Sequence, residues 1–185
     1  MLETIPFKYR LAVVVTAALA LMTASGAPEA PHPSWELPES AASYEGYQIL
    51  QDQIGEEQTC IIAKLIEDSS CPELIRSIIA VESEWQVNAV SPLRAIGLMQ
   101  IRSSAAADIN PGITEEILFN PMRNVELGIA IFEKYMDYFD DYSDPEQWAL
   151  TSYNRGLFGA ISLDMDPPST SYSRRVLLNM EIPQG

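Results

Sequence analysis

Apolar residues recur along most of this chain at helical spacing. From about Tyr47 onward they return every three or four positions, and no strict polar/apolar alternation runs long enough to specify a strand. Start and stop chemistry places the elements. A segment from Glu56 to Glu67 ends at Asp68-Ser69-Ser70, and Cys71-Pro72-Glu73 opens a second helix running to Trp85, with Pro at the first helical position and an acid in the first turn. Together these predict a helical hairpin. Asn120-Pro121 opens a helix to about Tyr138, with Val125, Phe132, Tyr135, Met136 and Phe139 near one face. Ser143 to Glu146 has capping-box spacing, Gly156 has the character of a helix stop, and a last helix over about Ser171 to Met180 turns Tyr172, Val176 and Leu177 inward. The fold class expected is all-α, in a single domain over residues 47–185.

The N-terminal residues differ in kind. Lys8 and Arg10 precede an apolar run from Leu11 to Met22, and small residues follow to Ala27; this has the form of an export signal over 1–27, with an uncleaved membrane anchor as the other reading. Residues 28–46 carry Pro28, Pro31, Pro33 and Pro38 with little helical period, as an extended linker does. The expected location is therefore exported, in the periplasm or at the cell envelope. The 185 residues include 26 acids and 11 bases, a net charge of −15. Such a chain offers no field to gather nucleic acid, whose binding rests on Lys and Arg neutralising phosphates. One histidine, among prolines, and two cysteines supply neither a zinc set nor a His-dependent nucleophile. No metal or cofactor is expected, and the chemistry falls to carboxylates.

One carboxylate stands apart. On the wheel of the helix Pro72 to Trp85, with Glu82 at zero, Ile75 falls at about +20°, Ile78 at about −40°, Ile79 at about +60° and Trp85 at about −60°. Glu82 thus lies in the middle of the apolar face, whereas Glu84 points away. A carboxyl there loses hydration, which raises its pKa and suits a general acid; a buried structural Glu with a partner fits the same position. The following stretch, QVNAVSPLRAIGLMQIRSSAAA, holds amides, hydroxyls, Arg94 and Arg102 but no acid before Asp108. It reads as a binding loop or as an ordinary turn with a short helix, in which Met99 would be core.

In order and spacing, VESEW (Glu82, Ser83), NAVSP (Ser91, Pro92), GLMQI (Gly97 to Ile101), NVELG (Asn124, Gly128), SYNRG (Tyr153, Asn154, Gly156) and YSRRVL (Tyr172, Val176) resemble the lysozyme-like lytic transglycosylases of the soluble (SLT) type over about residues 56–180. The resemblance implies an all-α lysozyme-like fold with a glycan cleft and cleavage of the MurNAc-GlcNAc bond of peptidoglycan, leaving a 1,6-anhydro end. By motif, Glu82 matches the catalytic acid/base, Ser91 and Gln100 the residues that hold the sugar, Met99 the apolar cleft floor, and Tyr153 and Asn154 the opposite wall. The partner implied is the peptidoglycan strand, bound by a monomer.

The chain departs from the family pattern between SP and GLMQ, where Leu93, Arg94, Ala95 and Ile96 replace small residues and a Gly. It also carries Arg155 after Asn154, Ser103 and Ala105 in place of Pro and Thr, and no acid just before Tyr172. A lysozyme-like hydrolase would need a second carboxylate about 5 to 9.5 Å from the first, and Asp108 reaches the cleft only if the chain folds back. The third class is a non-catalytic glycan-binding or assembly subunit with a secretion-system or virion partner, suggested by the acidic surface and the altered loop. Cys60 and Cys71, brought near each other by the hairpin, are expected to form a disulfide in an oxidising compartment, with two separate buried thiols as the other reading.

Overall fold

The computed structural model describes Leu37 and residues 44–180. The export-signal or anchor segment 1–27 and nearly all of the linker lie outside the described residues. Among those described, eight helices follow in order: α1 (Glu45–Glu67), α2 (Pro72–Ser83), α3 (Ser103–Ala107), α4 (Glu115–Leu118), α5 (Pro121–Tyr138), α6 (Pro145–Arg155), α7 (Leu157–Ile161) and α8 (Ser171–Met180). The only β structure among them is two isolated bridges, Val90 to Ile96 and Ile96 to Ile101. The fold is all-α, as the periodicity predicts.

α1 begins before the expected boundary. Tyr44, Tyr47 and Leu50 are buried, and Leu37 packs against the same core. Gly55, at φ 78° and ψ 169°, breaks α1 into two helical halves, a backbone shape glycine adopts without steric penalty. The second half is the segment read from the sequence as Glu56 to Glu67. α2 packs on α1 and on α8, while α5 packs on α1 and α6. Ile62, Ile66, Ile75, Ile78, Ile79, Val125, Phe132 and Leu150 meet between these helices in a continuous core. Their apolar surface, removed from water at roughly 25 cal/mol per Å², is the principal force holding the helices together.

Three local expectations are corrected. α2 stops at Ser83 and does not reach Trp85; Glu84 and Trp85 both take left-handed backbone angles, φ 52° and 61°. Trp85 is nevertheless buried, because this turn drives it into Tyr44 and Tyr47, with ring centroids 5.5 and 5.4 Å away. The cap of α6 is Asp144, whose carboxylate accepts from the Gln147 backbone N–H at 3.2 Å, and not Ser143. Finally, no disulfide joins Cys60 and Cys71; both are thiols, and burial pushes that of Cys71 up to about 11. The geometry explains it: Cys60 lies seven residues before the end of α1, about 10 Å along the axis at 1.5 Å per residue, whereas Cys71 sits at the hairpin turn itself. A disulfide needs Cα atoms within about 7 Å.

Candidate active site

Glu82 stands in the last turn of α2, and the chain immediately after it is clamped. Gln53 of α1 donates from Nε2 to the Trp85 carbonyl at 2.8 Å and accepts at Oε1 from the Val87 N–H at 3.1 Å. The indole of Trp85 lies against Gly46, where any Cβ would collide with it. Ser83, next to the acid, is buried and donates from Oγ to the Leu98 carbonyl at 2.8 Å. These contacts fix the register of α2 against the loop that follows.

That loop, residues 88–101, is a tight double turn. Ser91 N–H bonds the Ala95 carbonyl at 2.9 Å, Gly97 N–H the Ala89 carbonyl at 2.8 Å, and Ile96 and Ile101 exchange two bonds at 3.0 Å. Arg94 takes φ 57° there, a left-handed position of the kind glycine favours; its side chain is exposed and pairs with Glu115. Asn124 of α5 anchors the loop from below. Fully buried, it accepts at Oδ1 from Met99 N–H at 2.8 Å and donates from Nδ2 to the Ile96 and Leu118 carbonyls at 2.8 and 2.9 Å. Gly97, at φ 77°, leaves no room for a Cβ beside that amide.

The structure brings Glu82, Ser91, Gln100, Tyr153 and Asn154 together around one cleft of about 400 Å³. Ser91 Oγ accepts from Ala95 N–H at 3.0 Å, and Gln100 Nε2 donates to the Ala89 and Gly97 carbonyls at 3.1 and 3.0 Å. The Ser91 hydroxyl proton and the Gln100 Oε1 are therefore the atoms these residues can offer a ligand. Met99 is the exception: its side chain is fully buried and packs on Gly128, beneath the lining and not on it. Only its carbonyl connects with the opposite wall, accepting from Tyr153 Oη at 2.8 Å.

Burial raises the pKa of Glu82; the Tyr172 hydroxyl and the charges of Arg175 and Arg102 pull the other way without reversing it. The last turn of a helix, where carbonyls point outward, is also an unfavourable place for an anion. The Tyr153 and Tyr172 hydroxyls are pushed well above their usual range, first by burial and then by the neighbouring Glu82 charge, so both remain protonated phenols. Tyr172 Oη is buried beside the Glu82 carboxyl and closes no hydrogen bond of full geometry. The arrangement is that of a single carboxyl held towards its protonated form, open to a cleft and faced by two phenols.

Four further residues at or beside the cleft are not among the site residues named from the sequence. Tyr172 comes from α8, read in the sequence as an inward position and as part of the YSRRVL motif but given no role at the site. Arg102 and Arg155 line the cleft, and so does Asp108: the chain does fold back. The charge of Asp108 acts on Tyr135, whose pKa it raises after burial, while the charges acting on Glu82 are those of Arg175 and Arg102. The sequence model of the transglycosylase SLT domain matches residues 59–162, more than half of the chain and all of the loop and cleft motifs up to α7.

Proposed function

Because the chain belongs to the transglycosylase SLT family, whose members are lytic transglycosylases acting on peptidoglycan, we propose that Glu82 alone cleaves the MurNAc-GlcNAc β-1,4 bond without water. The observation that carries this reading is one half-buried carboxyl in the lining of the cleft, its pKa raised first by burial. Protonated Glu82 gives its proton to the glycosidic oxygen as the bond to the anomeric carbon breaks. The carboxylate so formed takes the proton of the same sugar's 6-hydroxyl while that oxygen closes on the anomeric carbon. Atoms balance with no water consumed, and the acid returns to its starting state. An attacking group already held in the substrate has a high effective concentration, which removes the need for a second base. Ser91 and Gln100 hold the sugar beside the acid, and Tyr153 and Asn154 form the facing wall. The positive charge that develops on the sugar has three available partners, the N-acetyl group, the Tyr153 oxygen and the new carboxylate. The form of residues 1–27, basic residues ahead of an apolar run and then small residues, supports a location at the cell envelope.

Asp108 in the lining favours a second reading, a hydrolase in which it activates water. Mass analysis of muropeptides released from purified sacculi separates the two. Transglycosylation gives products one water lighter than hydrolysis and lacking a reducing end, and Asp108→Asn leaves them unchanged. Reducing-end products that disappear with Asp108→Asn would establish the hydrolase instead, and no products from several peptidoglycan types would favour a glycan-binding subunit.

A further inference from the structure

The chain carries a net charge of −15, yet the cleft around Glu82 does not share that sign. Its lining holds Arg102 and Arg155 against Asp108, with Glu82 held towards its neutral form by burial. Among the described residues Arg76, Arg94 and Arg123 are each engaged by a carboxylate; Arg102, Arg155, Arg174 and Arg175 are exposed and make no such salt bridge, and of these four Arg102 and Arg155 line the cleft. In a protein with an excess of acids, two guanidinium groups without a carboxylate partner are thus held at the cleft that Glu82 lines.

Their placement is built into the backbone. Arg102 is the residue from which α3 starts, directly after the bridge at Ile101. Arg155 is the last residue of α6, and Gly156, at φ 76°, ends the helix there. The stem of Arg155 then runs over Gly159 of α7, whose missing side chain leaves room for it: a Cβ at that position would stand 2.9 Å from the Arg155 Cβ. Arg155 also stands where the sequence pattern otherwise carries a small residue.

Peptidoglycan supplies groups that match. The lactyl ether of MurNAc carries a peptide, and that peptide bears free carboxylates close to the glycan. Guanidinium binds carboxylate through paired, charge-assisted N–H···O bonds, with a geometry that ammonium and amide groups do not reproduce. Building on the peptidoglycan cleavage proposed above, we propose that Arg102 and Arg155 read carboxylates of the stem peptide, so that this enzyme selects glycan strands carrying anionic stem peptides over the same strands with those charges removed. In this role they are specificity residues: they hold the peptide beside the bond that Glu82 cleaves.

The test uses soluble, uncrosslinked peptidoglycan strands in two forms, native and with the peptide carboxylates converted to carboxamides, which preserves shape and removes charge. Wild-type kcat/KM on the native form is expected to exceed that on the amidated form by about tenfold, the scale of one charge-assisted hydrogen bond, and the ratio should shrink as salt screens it. Arg155→Gln should reduce the ratio, Arg155→Lys should restore part of it, and Arg102→Gln with Arg155→Gln should bring it to about one. The ratio is the readout because any change in Glu82 acidity affects both substrates alike. A wild-type ratio of one, or a ratio that survives the double substitution, overturns the proposal. Failure of the underlying reading looks different: the wild type would release no anhydro products from either substrate.

Discussion

Tyr153 Oη donates to the Met99 carbonyl across 2.8 Å, and this bond ties the end of α6 to the loop that follows α2. The same Met99 peptide is held from the other side, where its N–H bonds Asn124 Oδ1. The two walls of the cleft are thus joined through the backbone of a residue whose side chain never reaches the cleft. Tyr153→Phe keeps the ring, which packs edge-on against Phe132 with centroids 6.2 Å apart, but leaves that carbonyl unsatisfied. Stability should fall by about 1 to 3 kcal/mol, measured by denaturant unfolding; an unchanged midpoint would mean the bond does not join the walls energetically.

Glu82→Gln retains size and shape but has no acid proton. Release of anhydro muropeptides should fall by at least about a hundredfold, since general acid catalysis contributes roughly 10² to 10⁴. The variant should also be the more stable protein at neutral pH. The folded state holds the Glu82 proton more tightly than the unfolded chain does. Ionisation of Glu82 therefore works against folding as pH rises from the unfolded carboxyl value of about 4.3 to the raised folded value, and above that the whole penalty is present. Melting curves of the two proteins should converge below about pH 4 and separate above it; a wild type that melts higher than Glu82→Gln at pH 7 would contradict the burial argument.

Activity requires the protonated acid, so the rate should decline as pH rises through the pKa of Glu82. Arg175 on α8 and Arg102 both favour the carboxylate. Removing one of them with Arg175→Gln lets burial act with less opposition, and the alkaline limb of kcat should move to higher pH. A limb that moves to lower pH would show that Arg175 does not act on this carboxyl.

Gly128 lies on α5 directly under Met99, and a Cβ there would overlap the Met99 side chain. Gly128→Ala should destabilise by about 1 to 3 kcal/mol through overpacking. Met99→Val shortens the obstructing side chain, so the double variant should lose less than the two single changes added together. A double-mutant cycle with no coupling would rule out the direct contact.

Cys60 and Cys71 should both react in a thiol titration of the denatured, unreduced protein, and reductant should leave the melting temperature where it is. Finding no reactive thiol in that assay would mean that α1 and α2 approach each other in a way the hairpin geometry excludes.

Much of this protein is determined by local rules that act within a turn or two of the chain. Pro72, Pro121 and Pro145 start their helices because proline lacks only a donor that the first turn does not use, and Asn120 caps α5 as its side chain allows. The apolar wheel around Glu82 marked one carboxyl as out of place, and periodicity alone does that, since it needs no knowledge of what packs against the helix. The motifs holding Ser91, Gln100, Tyr153 and Asn154 are likewise written in sequence order, and all four line the cleft with Glu82. The tertiary structure decided the rest. Trp85 lies on the apolar side by a left-handed turn after α2 has ended, because its indole finds Tyr44 and Tyr47. Met99 belongs to the core because Gly128, distant in the chain, leaves a space of its shape. Tyr172, Asp108, Arg102 and Arg155 become neighbours of one cleft only once α8, α3 and α6 pack around α2 and α5. Helical period records which side of an element is buried, whereas the identity of the neighbour across that face depends on contacts between segments far apart in sequence, which no local pattern contains.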